Sequence, residues 1–142
     1  MNKELKKPYM LDFPQHGDER GWLVVVEEFN DVPFDIKRLF YIYGSEKNVI
    51  RGRHANRESE FVLINVAGSC KVKTTDGLGN EEIFVLDRPH RGIYIPKMIW
   101  KDMYDFSEDS ILLCIASEVY DNAEYIRDYD AYVEEMRNTY GC

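Results

Sequence analysis

The stretch EFVLINVAGSCKVKTTDG, Glu60 to Gly77, decides the fold. It opens with a run of apolar, largely β-branched and aromatic residues and passes into apolar/polar alternation, which is a strand pattern and not a helical one. Ala67-Gly68-Ser69 interrupts it and predicts a hairpin turn. Asp76-Gly77 and Gly79-Asn80 mark a second turn. Working outward, EEIFVLD (Glu81–Asp87), RGIYIP (Arg91–Pro96), WKDMYDF (Trp100–Phe106) and SILLCIAS (Ser110–Ser117) continue the series downstream. Upstream lie GWLVVVEEF (Gly21–Phe29) and IKRLFYIYG (Ile36–Gly44). Short strands recurring every roughly 8–12 residues predict an all-β sandwich or a closed barrel. In the tail, Tyr125, Ile126, Tyr129, Tyr132, Val133 and Met136 fall at steps of three and four, so an amphipathic helix is expected over about 123–140. One domain is expected, residues 1–142, with the barrel over about 8–120.

Composition narrows the function. The chain has 142 residues, 44% hydrophobic and 31% charged, which suits a globular protein with one core. Its formal net charge of -8 lacks the basic footprint that phosphate neutralisation requires, so no nucleic acid is expected as partner. No apolar run reaches the length of a membrane span, and MNKELKKPYM has charges where a signal peptide needs an apolar core. A cytoplasmic protein is expected, with Cys70, Cys114 and Cys142 as reduced thiols.

Histidine is scarce. His16 precedes the first strong strand and His90 lies in a proline-containing turn, which leaves His54 in RGRHANRESE. Cupin barrels carry His-x-His, then Glu, then a glycine turn; His54, Asn56, Glu60 and Gly68 fall at that spacing, with Asn in place of the second histidine. In the second cupin motif a histidine follows Pro-x-Gly-x-x; here Pro96 is followed five residues on by Lys101. A divalent metal needs several neutral imidazoles or carboxylates converging on one point, and a lysine ammonium at one corner repels it. No metal and no cofactor is expected. The fold expected is a cupin or jelly-roll antiparallel barrel with a C-terminal helix.

From about Gly21 to Tyr132 the chain resembles the sugar 3,4-ketoisomerases, FdtA-like and WxcM-like cupins. The segments that carry the likeness are ERGWLVVVEE, VPFDIKRLFYIYG, RGRHANRESEFVLINVAGSCKVKTTDG, GIYIPKMIWKDMYDFSEDSILLCIAS and VYDNAEYIRDYDAY. The resemblance implies a metal-free isomerase acting on a dTDP-linked 4-keto-6-deoxyhexose, in deoxyamino-sugar biosynthesis for surface glycans such as the O-antigen of lipopolysaccharide. It also implies a homodimer, for which the apolar run Trp22–Val26 offers a pairing surface. His54 matches the first family histidine and Tyr41 the active-site tyrosine of the preceding strand, while Asn56 and Lys101 stand where members usually carry histidine.

Moving a carbonyl from C4 to C3 requires a base for the C3 proton and a donor beside the developing enediolate. His54 is the expected base, and Tyr41, Asn56 and Lys101 are the expected donors; Lys101 is the alternative base if burial lowers its pKa. Asn56 does not titrate. Arg38, Arg51, Arg53 and Arg57 are candidates for the diphosphate, since guanidinium forks suit phosphate. Trp100 is a candidate wall for sugar or thymine, or else core packing. A nucleotide-sugar-binding barrel that has lost catalysis is the alternative reading of the same residues.

Overall fold

The computed structural model describes residues 4–141. Its strands are β1 (Tyr9–Asp12), β2 (Gln15–Asp18), β3 (Gly21–Val24), β4 (Arg38–Tyr43), β5 (Arg51–Asn56), β6 (Phe61–Ala67), β7 (Cys70–Thr75), β8 (Glu81–Leu86), β9 (Arg91–Ile95), β10 (Trp100–Tyr104), β11 (Ile111–Ala116) and β12 (Tyr125–Ile126); helix α1 is Tyr129–Tyr140. Two five-stranded antiparallel sheets, in the orders β1-β9-β6-β11-β4 and β12-β5-β10-β7-β8, make the jelly-roll, and β2 and β3 form a separate hairpin. Cys142 lies outside the described residues, whereas Cys70 and Cys114 are free and buried.

Three local expectations need correction. Ala67-Gly68-Ser69 is not a hairpin turn: β6 pairs with β9 and β11, while β7 pairs with β8 and β10. The chain therefore steps from one sheet to the other there, and the crossing is fixed by Ser69 N donating to Ser107 Oγ (2.8 Å) and Ser107 N to Ser69 O (2.9 Å). The real hairpin is β7–β8, at the second turn signal. The run Gly21–Phe29 keeps continuous strand pairing only to Val24, with one isolated bridge from Glu28 to Val32. Beyond it, loop residues Val32 and Phe34 fold back with Phe13 onto the outer face of the first sheet, against Val62, Ile64, Tyr94 and Ile115. The helix begins at Tyr129, not Ala123, because Asn122–Glu124 make one 3-10 turn and Tyr125–Ile126 pair with Asn56 and Ala55 of β5.

Strand alternation sorts the side chains. Phe61, Leu63, Val72, Ile93, Met103, Leu112 and Cys114 fill the space between the sheets. Outside the second sheet, Ala55, Trp100 and Ile126 pack under Tyr132 and Met136 of α1. The Tyr132 hydroxyl fastens this helix, donating to Met98 O (2.7 Å) and accepting from Trp100 N (3.3 Å).

Candidate active site

A β-bulge aims the site residues. On β10, Lys101 pairs with His54 and Asp102 with Gly52, so Arg53 has no partner there. Gly52 and Arg53 both take positive φ, 85° and 56°. A Cβ on Gly52 would stand 2.8 Å from Lys101 O, so glycine is required by space as well as by φ. The extra residue resets alternation. Lys101 and Met103 face the interior, and the residues opposite them, His54 and Arg51, share that face although they are three apart in sequence.

At this end of the barrel lies a buried polar network. Lys101 is 3% exposed and Asn56 1% exposed. Lys101 Nζ donates to Asn56 Oδ1 (2.9 Å) and sits 4.5 Å from the centroid of the Phe61 ring. Asn56 Nδ2 donates to Glu124 Oε1 (3.1 Å). The Glu124 carboxylate also accepts from Ser59 Oγ (2.6 Å), Ser59 N (2.9 Å) and Glu58 N (3.2 Å). His54 Nδ1 is 2.9 Å from Gly52 O, an acceptor, so Nδ1 carries the hydrogen and Nε2 keeps its lone pair. The His54 ring lies against Tyr125, with centroids 4.8 Å apart.

The other expected residues separate. Arg38 joins the site: it donates to Tyr125 Oη (3.3 Å), lies over Phe40 and Tyr120, and its buried Nε has no hydrogen-bond partner among the described residues. Arg51 shares the inner face with Met103 and is exposed at the rim. Arg53, the bulged residue, lies instead on the outer face in a shallow cleft with Lys73, Trp100 and Arg127. Arg57 is held by Glu135 of α1 (2.7 and 2.9 Å), a surface ion pair. Trp100 points away from the interior and packs on Tyr129 and Tyr132, so it is core. Tyr41 pairs with Leu113 on the outward side of β4, is 60% exposed and stacks on Tyr43, away from His54. Sequence reading missed Glu124, Ser59, Phe61 and Tyr125. The signal was present in VYDNAEYIRDYD, whose Glu124-Tyr125 step falls where the tail touches β5.

Burial and charge set the protonation of this group. Desolvation lowers His54 to about 3, reinforced by the positive charges of Lys101 and Arg127. Desolvation also lowers Lys101 to about 7, while Glu124 acts in the opposite sense. Glu124 resists its own desolvation because the hydrogen bonds from Ser59, Asn56 and Glu58 keep its pKa lowered. Among the described residues, no group of three or more His, Cys, Asp or Glu side chains could hold a metal ion.

Lys101 has a consequence for stability. Its folded pKa, about 7, is below the ordinary 10.5, so between these values the unfolded chain binds about one more proton than the folded one. Stability therefore rises with pH in that window, by up to about 1.4 kcal/mol per pH unit. Above pH 9 the buried thiols of Cys70 and Cys114, pushed up to about 12 by burial, oppose the trend. Urea denaturation should thus show stability increasing from pH 7 to pH 9, and Lys101→Met should flatten this rise. An equal rise in the variant would mean that another group carries it.

Comparison with known proteins agrees with this architecture. The family model FdtA, described as WxcM-like, C-terminal, matches residues 6–137. A curated relative from Aneurinibacillus thermoaerophilus, TDP-4-oxo-6-deoxy-alpha-D-glucose-3,4-oxoisomerase, is 41% identical over 123 residues, 87% of this chain and 88% of that protein. The crystal structure of QdtA, a sugar 3,4-ketoisomerase from Thermoanaerobacterium thermosaccharolyticum in complex with TDP, is 38% identical, with a TM-score of 0.90 over 95% of this chain and 98% of its own. WlaRA, a TDP-fucose-3,4-ketoisomerase from Campylobacter jejuni, is 41% identical with a TM-score of 0.88, covering 94% of this chain and 98% of its own. With nearly all of the chain matched in sequence and in backbone, the protein belongs to the FdtA family of WxcM-like cupins.

Proposed function

We propose that this protein is a nucleotide-sugar 3,4-ketoisomerase, moving the carbonyl of a dTDP-linked 4-keto-6-deoxyhexose from C4 to C3. The observation that carries the reading is the inward-facing pair His54 and Lys101 on adjacent strands, an imidazole with a free Nε2 beside a buried amine. Relatives named for this reaction supply the substrate class. His54 Nε2 takes the C3 proton, leaving an enolate with its charge on O4. The Lys101 ammonium stabilises that oxygen. The hydroxyl proton passes from O3 to O4, and the imidazolium returns its proton at C4. The enolate charge itself raises the basicity of His54 as it forms.

The Lys101 pKa favours a second assignment, with its free amine as the base, because a base poised near the working pH is the most effective. The pH dependence of turnover separates the two. If Lys101 acts as the ammonium, activity falls as pH rises through about 7; if it acts as the amine, activity falls as pH drops through about 7. Under the first assignment His54→Asn should reduce sugar C–H exchange in deuterated water by at least about 100-fold while dTDP binding persists. Full activity in that variant would pass the role of base to Lys101.

Arg38 and Arg51 are proposed to hold the diphosphate at the rim. Arg51→Ala should weaken dTDP binding by about 1.5–3 kcal/mol in calorimetry. Arg91→Ala should leave it unchanged, since Arg91 pairs with Asp12 on β1. Equal losses would remove Arg51 from the site.

The proposed setting is cytoplasmic synthesis of deoxyamino sugars for surface glycans, with the protein as a homodimer. Exposed apolar side chains support self-association: Trp22 (74%) and Leu23 on β3, and Leu39, Tyr41 and Tyr43 (72%) on edge strand β4. Sedimentation at micromolar concentration should give a dimer, and a monomer would refute this arrangement.

A further inference from the structure

We propose that Glu124, acting through Asn56, is the positioning residue that fixes the Lys101 amine in the barrel. An asparagine amide can face either way. Here a carboxylate accepts from Nδ2 at 3.1 Å, which leaves only Oδ1 to face Lys101 Nζ at 2.9 Å. Turned the other way, the amide would present N–H groups to the ammonium and carbonyl oxygen to the carboxylate, and both contacts would become repulsive. Glu124 thus makes Asn56 an acceptor at the one place where Lys101 needs one.

Glu124 is itself immobilised. It is 6% exposed, and its two oxygens accept four hydrogen bonds from Asn56, Glu58 and Ser59. It is carried on the 3-10 turn Asn122–Glu124, which Asp121 caps by accepting from Ala123 N. Arg57 N donates to the Glu124 carbonyl (3.0 Å), closing backbone as well as side chain onto the end of β5.

Other groups facing the Lys101 amine do not substitute for this anion. From β5 comes His54, held neutral by burial. From β11 comes Cys114, which would act on Lys101 in the same sense as Glu124 but only as a thiolate, and burial pushes that thiol up to about 12, so near neutral pH it carries no charge. From β6 comes the Phe61 ring. Glu124 is the carboxylate that acts on Lys101, and the Asn56 amide dipole lies head to tail between the two charges.

The kinetic part of the test rests on the ketoisomerase reading, and the spectroscopic part does not. In protein labelled with 13C and 15N at lysine, NMR follows the Lys101 side chain through its titration without substrate. Glu124→Gln should lower the Lys101 midpoint by about one pH unit, as loss of a nearby opposite charge does. Asn56→Leu should lower it in the same direction, and the double variant should move little further than either single one, because both cut the same connection. Glu124→Asp should restore part of the shift. In turnover assays the pH limb near neutrality should move with the NMR midpoint, while dTDP affinity holds. If Glu124→Gln fails to fold, Asn56→Leu carries the test. A Lys101 midpoint unchanged in the folded variants overturns the proposal. A shifted midpoint without turnover in the unaltered protein would leave the positioning role standing and refute the ketoisomerase reading.

Discussion

An ammonium group buried in a β-barrel is the constraint around which this end of the molecule is arranged. A charged amine taken out of water is costly unless it meets acceptors or yields its proton. Lys101 does some of each: it has an amide oxygen and an aromatic face for partners, and its pKa is lowered to about 7. The carboxylate that acts on it, Glu124, is joined to it through the Asn56 amide. A direct ion pair would hold the proton on lysine firmly. An intervening amide lets the anion be felt while leaving the amine able to change state near neutral pH.

The backbone serves the same end. A regular β5 would send alternate residues outward and could not present both Arg51 and His54 to the interior. The bulge at Gly52–Arg53 solves this by expelling Arg53. One strand thereby offers an exposed cation, a half-buried imidazole and a buried amide along its inner face. The rest of the interior, including Cys70, Leu86 and Phe106, is apolar and supplies the packing that this polar network gives up.

The sequence announced most of the strands because apolar alternation follows directly from having one face buried. β6, β7, β9, β10 and β11 were legible for that reason. β5 was not, since RGRHAN is polar where it lines the site and glycine-broken where it bulges. The hairpin expected at Ala67–Ser69 failed because a short turn signal says that the chain reverses, not which sheet it enters. Of the candidate site, the residues His54, Asn56 and Lys101 that the fold brings together were singled out by motif spacing. The arginines were not separable by sequence, because a bulge and an ion pair with Glu135 decided their directions. Strand parity turns Tyr41 outward, and the helix covers Trp100. Glu124 was hidden, since a lone glutamate in an acidic tail has no signature until folding carries it more than sixty positions back to Asn56.

That return of the tail ties the integrity of the site to a subset of the protein. Glu124 and Tyr125 reach β5 only while the segment after β11 is docked, and α1 is held to the second sheet through the Tyr132 hydroxyl and the Trp100–Met136 packing. Proteins open in cooperative pieces whose free energies can be well below that of global unfolding. Here the piece that contains α1 also contains the anion behind Lys101. The fraction of molecules with an assembled polar network at any moment is therefore governed by how firmly the last twenty or so residues cling to the barrel, and a molecule that has lost only β12 and α1 from that barrel has also lost the anion behind Lys101.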